Sequence, residues 1–96
     1  MVAYPGDTYK SIAKEFGLNE KKLKEYNDAR SGQIKEWEEV YLQPKKDEGP
    51  AEVAVAVIGE GEDMRSISQR YGIKLEALKK LNKKIKDKPG ASLRLR

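Results

Sequence analysis

The chain has 96 residues, a net charge of +4, and neither cysteine nor histidine. It therefore cannot form a disulfide, and it lacks the usual ligands of a structural zinc site. We therefore expect no metal and no cofactor. No apolar run is long enough to span a bilayer, so we expect no membrane insertion. Residues 1–43 carry a net charge of −1 and residues 51–96 carry +5, which predicts that the second half favours anionic partners.

An internal repeat with an offset of 55 residues organises the sequence. Such a repeat indicates two small units of the same structure. We expect a first module at residues 1–43, a linker at 44–52 and a second module at 53–96. The identical pairs are Gly6/Gly61, Ser11/Ser66, Ile12/Ile67, Gly17/Gly72, Leu23/Leu78 and Asn27/Asn82.

The first module begins with a short extended segment at residues 2–4, which the Pro5-Gly6 turn ends. Thr8 is placed to cap a short helix, and Gly17 is placed to end it in the left-handed conformation. The spacing of the apolar residues predicts one buried stripe on this helix. That stripe consists of Ile12, Ala13 and Phe16.

A second helix follows, with Asn19 as its cap and Leu23 and Tyr26 on its buried face. The turn-rich run 27–32 is predicted to be a loop. Residues 40–43 alternate between apolar and polar side chains and predict a strand, which Pro44 ends.

The second module repeats this order, with a β-branched strand over 53–58, a helix capped by Asp63, a helix over 75–81, and a closing strand over 93–96. Lys74 is a poor cap, so we expect the fourth helix to fray at its start. The strands of a module must pair, and the helices must cover one face of the pair. The predicted fold is therefore α+β, with two β-α-α-β modules, each a two-stranded antiparallel sheet covered on one face by two helices.

Several short motifs resemble the LysM family, whose members are small β-α-α-β carbohydrate-binding modules. The first module carries Pro-Gly-Asp-Thr at 5–8, Ser11-Ile12-Ala13, Phe16-Gly17, Tyr26-Asn27 and Val40-Tyr41-Leu42. The second carries Gly61-Glu62, Ser66-Ile67, Tyr71-Gly72, Leu81-Asn82, Gly90 and Leu93-Arg94-Leu95. Tandem copies of this kind also resemble the C-terminal portion of bacterial cell-wall glucosaminidases. The sequence departs from the family pattern at Trp37, where a glycine is usual, and at Asp63-Met64, where threonine and leucine are usual.

The resemblance implies a non-catalytic module that binds glycans containing N-acetylglucosamine, such as peptidoglycan or a chitin-like oligosaccharide, and that targets a parent cell-wall hydrolase. It implies a binding groove between the loop after the first strand and the loop before the last. The residues that match these loops in the first module are Gly6, Asp7, Thr8, Tyr9, Asn27, Asp28, Ala29 and Ile34. Those in the second are Gly61, Glu62, Asp63, Met64, Asn82, Lys83 and Lys84.

Several of these residues also have a purely structural interpretation. Asp7 and Thr8 are turn and cap residues, and Asn27 and Asn82 are suited to brace the end of a helix. Trp37 could be an exposed platform for a sugar ring, but we favour partial burial under the closing strand. The lysines from Lys79 to Lys88 could attract phosphates or carboxylates, although a solvated helix face is the favoured interpretation.

Three other functions are weighed against glycan binding. The spacing of Ala13, Gly17 and Leu23 fits a helix-turn-helix, but the flanking strands argue against a DNA-binding domain, so we expect no nucleic acid partner. Glu38 and Glu39 could suggest a glycosidase pair, but adjacent strand residues face opposite ways, which argues against an enzyme. The second module could also be a spacer or docking unit without ligand. We expect a monomer, and a periplasmic, cell-wall-associated or secreted location as part of a longer exported protein.

Overall fold

A computed structural model describes all 96 residues. It contains the helices α1 (Tyr9–Phe16), α2 (Glu20–Tyr26), α3 (Met64–Tyr71) and α4 (Leu75–Leu81). The strands β1 (Val55–Val57) and β2 (Ser92–Arg94) form one antiparallel sheet. The chain divides into two compact units, Met1–Pro44 and Lys45–Arg96. It is a small α+β protein, as the sequence predicts.

The helices of the first unit begin and end at the predicted residues. The Thr8 hydroxyl accepts a hydrogen bond from the Ser11 amide at 3.1 Å, and the Thr8 amide donates to the Ser11 hydroxyl at 3.0 Å. This reciprocal pair is a capping box. The Asn19 side chain accepts from the Lys22 amide at 3.0 Å, and α1 ends at Gly17 with φ 67°. Local hydrogen bonds therefore set the limits of both helices.

The core of the first unit differs from the prediction in its aromatic residue. Phe16 was predicted to be buried, but it is 46% exposed. Tyr9 is only 1% exposed and supplies the aromatic side chain of this core. Phe16 is the last residue of α1, and the chain turns back after Gly17. The Leu18 amide then donates to the Ala13 carbonyl, and the Leu18 side chain packs on the core in place of Phe16. The buried side chains of this core are Ala3, Tyr9, Ile12, Ala13, Leu23 and Val40.

The terminal segments of the first unit pair antiparallel over a shorter stretch than predicted. Val2 and Glu39 form an isolated bridge, and the Val40 amide donates to the Met1 carbonyl at 2.6 Å. The predicted closing strand at 40–43 is therefore paired at its beginning only. The next residue, Tyr41, forms its backbone hydrogen bonds with a side chain and not with a neighbouring strand.

That side chain is the buried amide of Asn27, which is 0% exposed. Its Nδ2 donates to the Leu23 carbonyl at 2.8 Å and to the Tyr41 carbonyl at 2.9 Å. Its Oδ1 accepts from the Tyr41 amide at 2.7 Å. The side chain thus pairs with Tyr41 as a neighbouring strand would, and it joins the end of α2 to the closing segment. We call this arrangement the asparagine clamp.

The second unit contains the same clamp and a complete sheet. Asn82 donates to the Leu78 and Arg94 carbonyls, both at 2.9 Å, and accepts from the Arg94 amide at 2.8 Å. In the sheet, Ala56 pairs with Leu93. The buried core comprises Ala56, Ile58, Met64, Ile67, Ile73, Leu78, Leu93 and Leu95, with Tyr71 packed against it. This unit has the predicted two-stranded sheet.

The helices of the second unit also follow the prediction at their ends. The Asp63 carboxylate accepts from the Ser66 amide at 3.0 Å, and Gly72 ends α3 with φ 69°. Lys74 makes no side-chain capping bond at the start of α4. Fraying of α4 remains a prediction.

A buried lysine lies where the sequence predicts a linker. Lys45 is 5% exposed, and its ammonium donates to the Ser68 hydroxyl at 3.1 Å and to the Gln69 side-chain oxygen at 2.6 Å. A lysine is rarely this buried, and then only when its ammonium has polar partners. Lys45 is therefore part of the interior of the second unit.

The backbone that follows Lys45 is also bonded to the second unit. Lys46 and Ile73 form a parallel bridge, and the Gly49 amide donates to the Leu95 carbonyl at 2.7 Å. The compact second unit thus begins at Lys45, within the segment 44–52 that was expected to be a linker. The expected module limits remain a prediction, but residues 45–49 are structured.

We expect Asn27→Ala to lower the free energy of unfolding of the first unit by about 2–4 kcal/mol, because it leaves both backbone groups of Tyr41 without their partner. Urea unfolding followed by the amide NMR signals of Ile12 and Leu23 measures this change. Asn19→Ala is the control, since loss of an exposed cap costs about 1 kcal/mol. Equal effects of the two substitutions would contradict the importance of the clamp.

We expect Gly49→Ala to destabilise the second unit by about 1–3 kcal/mol through overpacking. A Cβ at Gly49 would lie 3.0 Å from the Leu95 Cβ and 3.2 Å from the Ile73 Cδ1. Gly32→Ala is the matched control, because its nearest neighbour is the flexible Lys24 ammonium at 3.9 Å. Urea unfolding measures both, followed in each case by the NMR signals of the core of the unit that carries the substitution. A neutral Gly49→Ala would support a free linker instead.

Candidate functional site

In each unit, two loops run side by side next to the first helix. We define the first loop pair as residues 4–8 with 32–37, and the second loop pair as residues 59–63 with 85–90. The first pair is joined at one end by a bridge between Thr8 and Gln33, and at the other by a 2.7 Å hydrogen bond from the Trp37 amide to the Ala3 carbonyl. These are the loops that the resemblance assigns to a binding groove.

The backbone of the first loop pair is open at Gly6. Gly6 has φ 90°, and a Cβ added to it would meet no atom within 4 Å. The left-handed turn therefore requires glycine for its conformation and not for lack of space. The open space lets a ligand approach the peptide groups of this turn directly.

The side chains of Asp7 and Thr8 stabilise the structure around this turn. The Asp7 carboxylate accepts from the Tyr4 amide at 2.9 Å, and the Thr8 hydroxyl is the cap of α1. Both residues are partly exposed. The structural interpretation of these residues is thus confirmed, while a contact with ligand remains a prediction.

Four of the predicted site residues have side chains that do not reach the surface. Tyr9 and Met64 belong to the two cores, and Asn27 and Asn82 form the clamps. Each lies at a helix end where the small unit needs core volume or a buried hydrogen-bonding group, and the structural interpretation of Asn27 and Asn82 is confirmed. Contact of these four residues with a ligand stays a prediction.

The remaining residues of the first site are partly exposed. Ile34 follows Gln33, whose bridge to Thr8 brings Ile34 to the edge of the first loop. Asp28 and Ala29 lie at the end of α2, where the Ala29 amide donates to the Lys24 carbonyl at 3.0 Å. Gly6, Asp7, Thr8 and Ile34 thus form the group that the loop pair brings together.

Two exposed aromatic residues lie at one end of the first loop pair. Tyr4 is 64% exposed and Trp37 is 60% exposed, and their ring centroids are 5.7 Å apart at 86°. The predicted partial burial of Trp37 is therefore wrong. Trp37 has φ 67°, a left-handed conformation that costs a non-glycine residue about 1–2 kcal/mol. The family glycine that Trp37 replaces was the signal for this unusual position.

Side-chain carboxylates hold the second loop pair together. The Glu62 carboxylate accepts from the Gly59 amide at 2.8 Å and also pairs with Arg70. The Asp87 carboxylate accepts from the Met64 amide at 2.7 Å, at the N-terminus of α3. Gly61 remains open, with φ 75° and no atom within 4 Å of an added Cβ. The Glu62 bond repeats the one between Asp7 and the Tyr4 amide, and the Asp87 bond takes the place of the one between the Tyr9 amide and the Gly32 carbonyl.

The exposed lysines Lys83 and Lys84 line a surface cavity of ≈ 380 Å³ together with Arg94. The other lining residues are Lys80, Leu81, Asn82, Ile85 and Ser92. The first unit has Glu25, Asp28 and Glu39 at the positions that correspond to Lys80, Lys83 and Ser92. The two units therefore present opposite charge at this surface.

The acidic surface of the first unit includes Tyr41, which corresponds to Arg94. Burial raises the pKa of the Tyr41 phenol above its ordinary value, and the neighbouring Glu39 carboxylate raises it further.

No cluster of three or more His, Cys, Asp or Glu side chains in the structure could hold a metal ion. None of the helices has both the length and the apolar composition that crossing a bilayer requires.

We expect Asp87→Ala to lower the stability of the second unit by about 0.5–2 kcal/mol, because the Met64 amide loses its acceptor at a helix N-terminus. Faster hydrogen exchange of the Met64 amide measures the local effect. Asp87→Asn, which keeps a side-chain oxygen, should preserve most of the protection. Unchanged exchange in Asp87→Ala would show that this contact does not hold the second loop pair together.

The family model described as the LysM domain matches residues 4–36 and 56–95. No curated protein matches the chain significantly. The second matched segment contains the whole second loop pair, and the first contains the first loop pair except Trp37.

LysM domains are non-catalytic carbohydrate-binding modules that generally bind glycans containing N-acetylglucosamine, such as peptidoglycan. They typically occur in extracellular or cell-wall-associated proteins. The matched segments cover well over half of the chain, and each contains one pair of helices. The chain therefore belongs to the LysM family and carries two LysM domains in tandem.

Proposed function

We propose that the chain binds peptidoglycan, or a chitin-like glycan, mainly through its first loop pair. In this proposal it targets a parent cell-wall hydrolase, such as a glucosaminidase, to its polymer. The observation that carries the proposal is the open backbone at Gly6, beside a second loop held in place by hydrogen bonds at both ends. This arrangement offers a preformed surface with accessible peptide groups.

The chemistry of the first loop pair suits an N-acetyl sugar. Such a sugar offers an amide and several hydroxyls, and backbone groups at a glycine turn can pair with these at close approach. Ile34, which is half-buried, provides apolar surface for the methyl of the acetamide. A small number of placed polar groups beside an apolar contact is the usual composition of a specific binding surface.

The second unit is expected to bind the same glycan more weakly, because Asp63 and Met64 depart from the family pattern in and next to its loop pair. Two sites on one polymer still increase the overall affinity through effective concentration. A docking role for the second unit is the second candidate. The cavity lined by Lys83, Lys84 and Arg94 favours an anionic partner for that role.

The proposal predicts that chito-oligosaccharides and muropeptides shift the backbone amide NMR signals of Gly6, Asp7, Thr8 and Ile34 in the full chain. The corresponding signals in the second unit should shift at higher ligand concentration. Cello-oligosaccharides are the control ligands, because they have the same backbone linkage but no acetamide, and they should cause small shifts.

An absence of shifts in the first loop pair at millimolar concentrations of either ligand would contradict the proposal. Shifts confined to the second unit would support binding there alone. Retardation of duplex DNA that weakens with salt would favour the helix-turn-helix alternative instead.

A further inference from the structure

The contact between Tyr4 and Trp37 leaves much aromatic surface in solvent. The pair is in a T-shaped arrangement, which uses the edge of one ring and a face of the other. These two side chains are the most exposed of the large apolar residues in the chain. Exposed apolar side chains that lie together, and not singly, often mark an interaction surface.

The backbone at Trp37 shows that the fold does not require tryptophan there. Gly90 is its counterpart in the second unit, with φ 90° and a 2.8 Å hydrogen bond from its amide to Ile58. The Trp37 amide makes the equivalent bond to Ala3. Both units thus need a left-handed residue at this point, and glycine satisfies that need without strain.

Burial does not compensate for the strain at Trp37, because the side chain is mostly exposed. Residues held in sparsely populated conformations tend to occur at functional sites. Tyr4 is likewise replaced in the second unit, where the corresponding residue is Gly59. The first unit therefore has two aromatic side chains at positions where its own repeat has two glycines.

The location of the pair connects it to the first loop pair. Tyr4 directly precedes the Pro5-Gly6 turn, and its amide is bonded to Asp7. Trp37 lies at the end of the opposite loop, where its amide joins the two loops. The pair therefore contributes one residue from each loop and lies at the end opposite the Thr8–Gln33 bridge.

We propose that Tyr4 and Trp37 form an aromatic platform at the end of the first loop pair, in which the Trp37 ring, in edge-to-face contact with Tyr4, stacks against the apolar face of a sugar ring of the bound glycan. This inference rests on the proposed function and adds a second contact to it. One face of a pyranose ring with equatorial substituents presents C–H groups. The negative face of an aromatic ring attracts these groups, as it attracts other partial positive charges.

Titration calorimetry of the full chain with chito-oligosaccharides tests the platform. We expect Trp37→Gly to raise the Kd roughly five- to tenfold without lowering the thermal midpoint, because glycine relieves the strain at this position. Trp37→Tyr should retain binding within roughly threefold, since it keeps an aromatic face. Phe16→Ser is the matched control, because Phe16 is an exposed aromatic residue of the same unit on α1, and it should leave the Kd unchanged.

A measurement without any substitution keeps the test independent of folding. Trp37 is the only tryptophan, so its fluorescence reports on this position alone. Saturating glycan should change the emission, with the same Kd as calorimetry. The spectrum should not change with cellulose-derived ligands that fail to bind.

The outcomes separate the platform from the proposed function. Glycan binding that is equal in the wild type and Trp37→Gly, or that leaves the emission of Trp37 unchanged, would overturn the platform and leave the proposed function standing. A wild type that binds no glycan would overturn both. Trp37-dependent dimerisation in sedimentation experiments, without an effect on glycan affinity, would assign the aromatic pair to self-association and overturn the platform as well.

Discussion

In both units, the amide of a buried asparagine holds the closing segment of the chain against the C-terminal end of the second helix. Units of this size bury little apolar surface, and the chain has no cysteine that could form a disulfide. A side chain that satisfies three backbone groups therefore has a large share in fixing the fold. Because the closing segment leads out of the loop that precedes it, Asn27 and Asn82 also determine where each second loop lies.

The repeats share this frame and differ at the surface that it presents. The first unit has aromatic side chains at positions where the second has glycines, and acidic side chains where the second has basic ones. The Met64 amide of the second unit is bonded to the carboxylate of Asp87, whereas the equivalent Tyr9 amide is bonded to the Gly32 carbonyl. The same backbone thus carries two surfaces of different chemistry, one with exposed aromatic and acidic side chains and one with basic side chains.

The sequence predicted the features that depend on neighbouring residues. The caps at Thr8 and Asn19 and the left-handed turn at Gly17 form through hydrogen bonds and backbone angles within one turn, so composition and spacing suffice. Burial of Phe16 and Trp37 was predicted wrongly, because it depends on where distant parts of the chain pack. The same distinction between local and tertiary features applies to the candidate site. Gly6 and its turn were predictable, whereas the burial of Tyr9 and the pairing of Tyr4 with Trp37 depend on tertiary contacts.

The buried ammonium of Lys45 has a practical consequence for dissecting the protein. A cut chosen by composition would fall inside the charged run after Pro44, and any cut beyond Lys45 removes the partner of Ser68 and Gln69 from the interior of the second repeat. The peptide bond between Pro44 and Lys45 is therefore the position for separating the halves, or for inserting a spacer or fusion tag between them. Shortened versions that start later would compare a complete repeat with a damaged one.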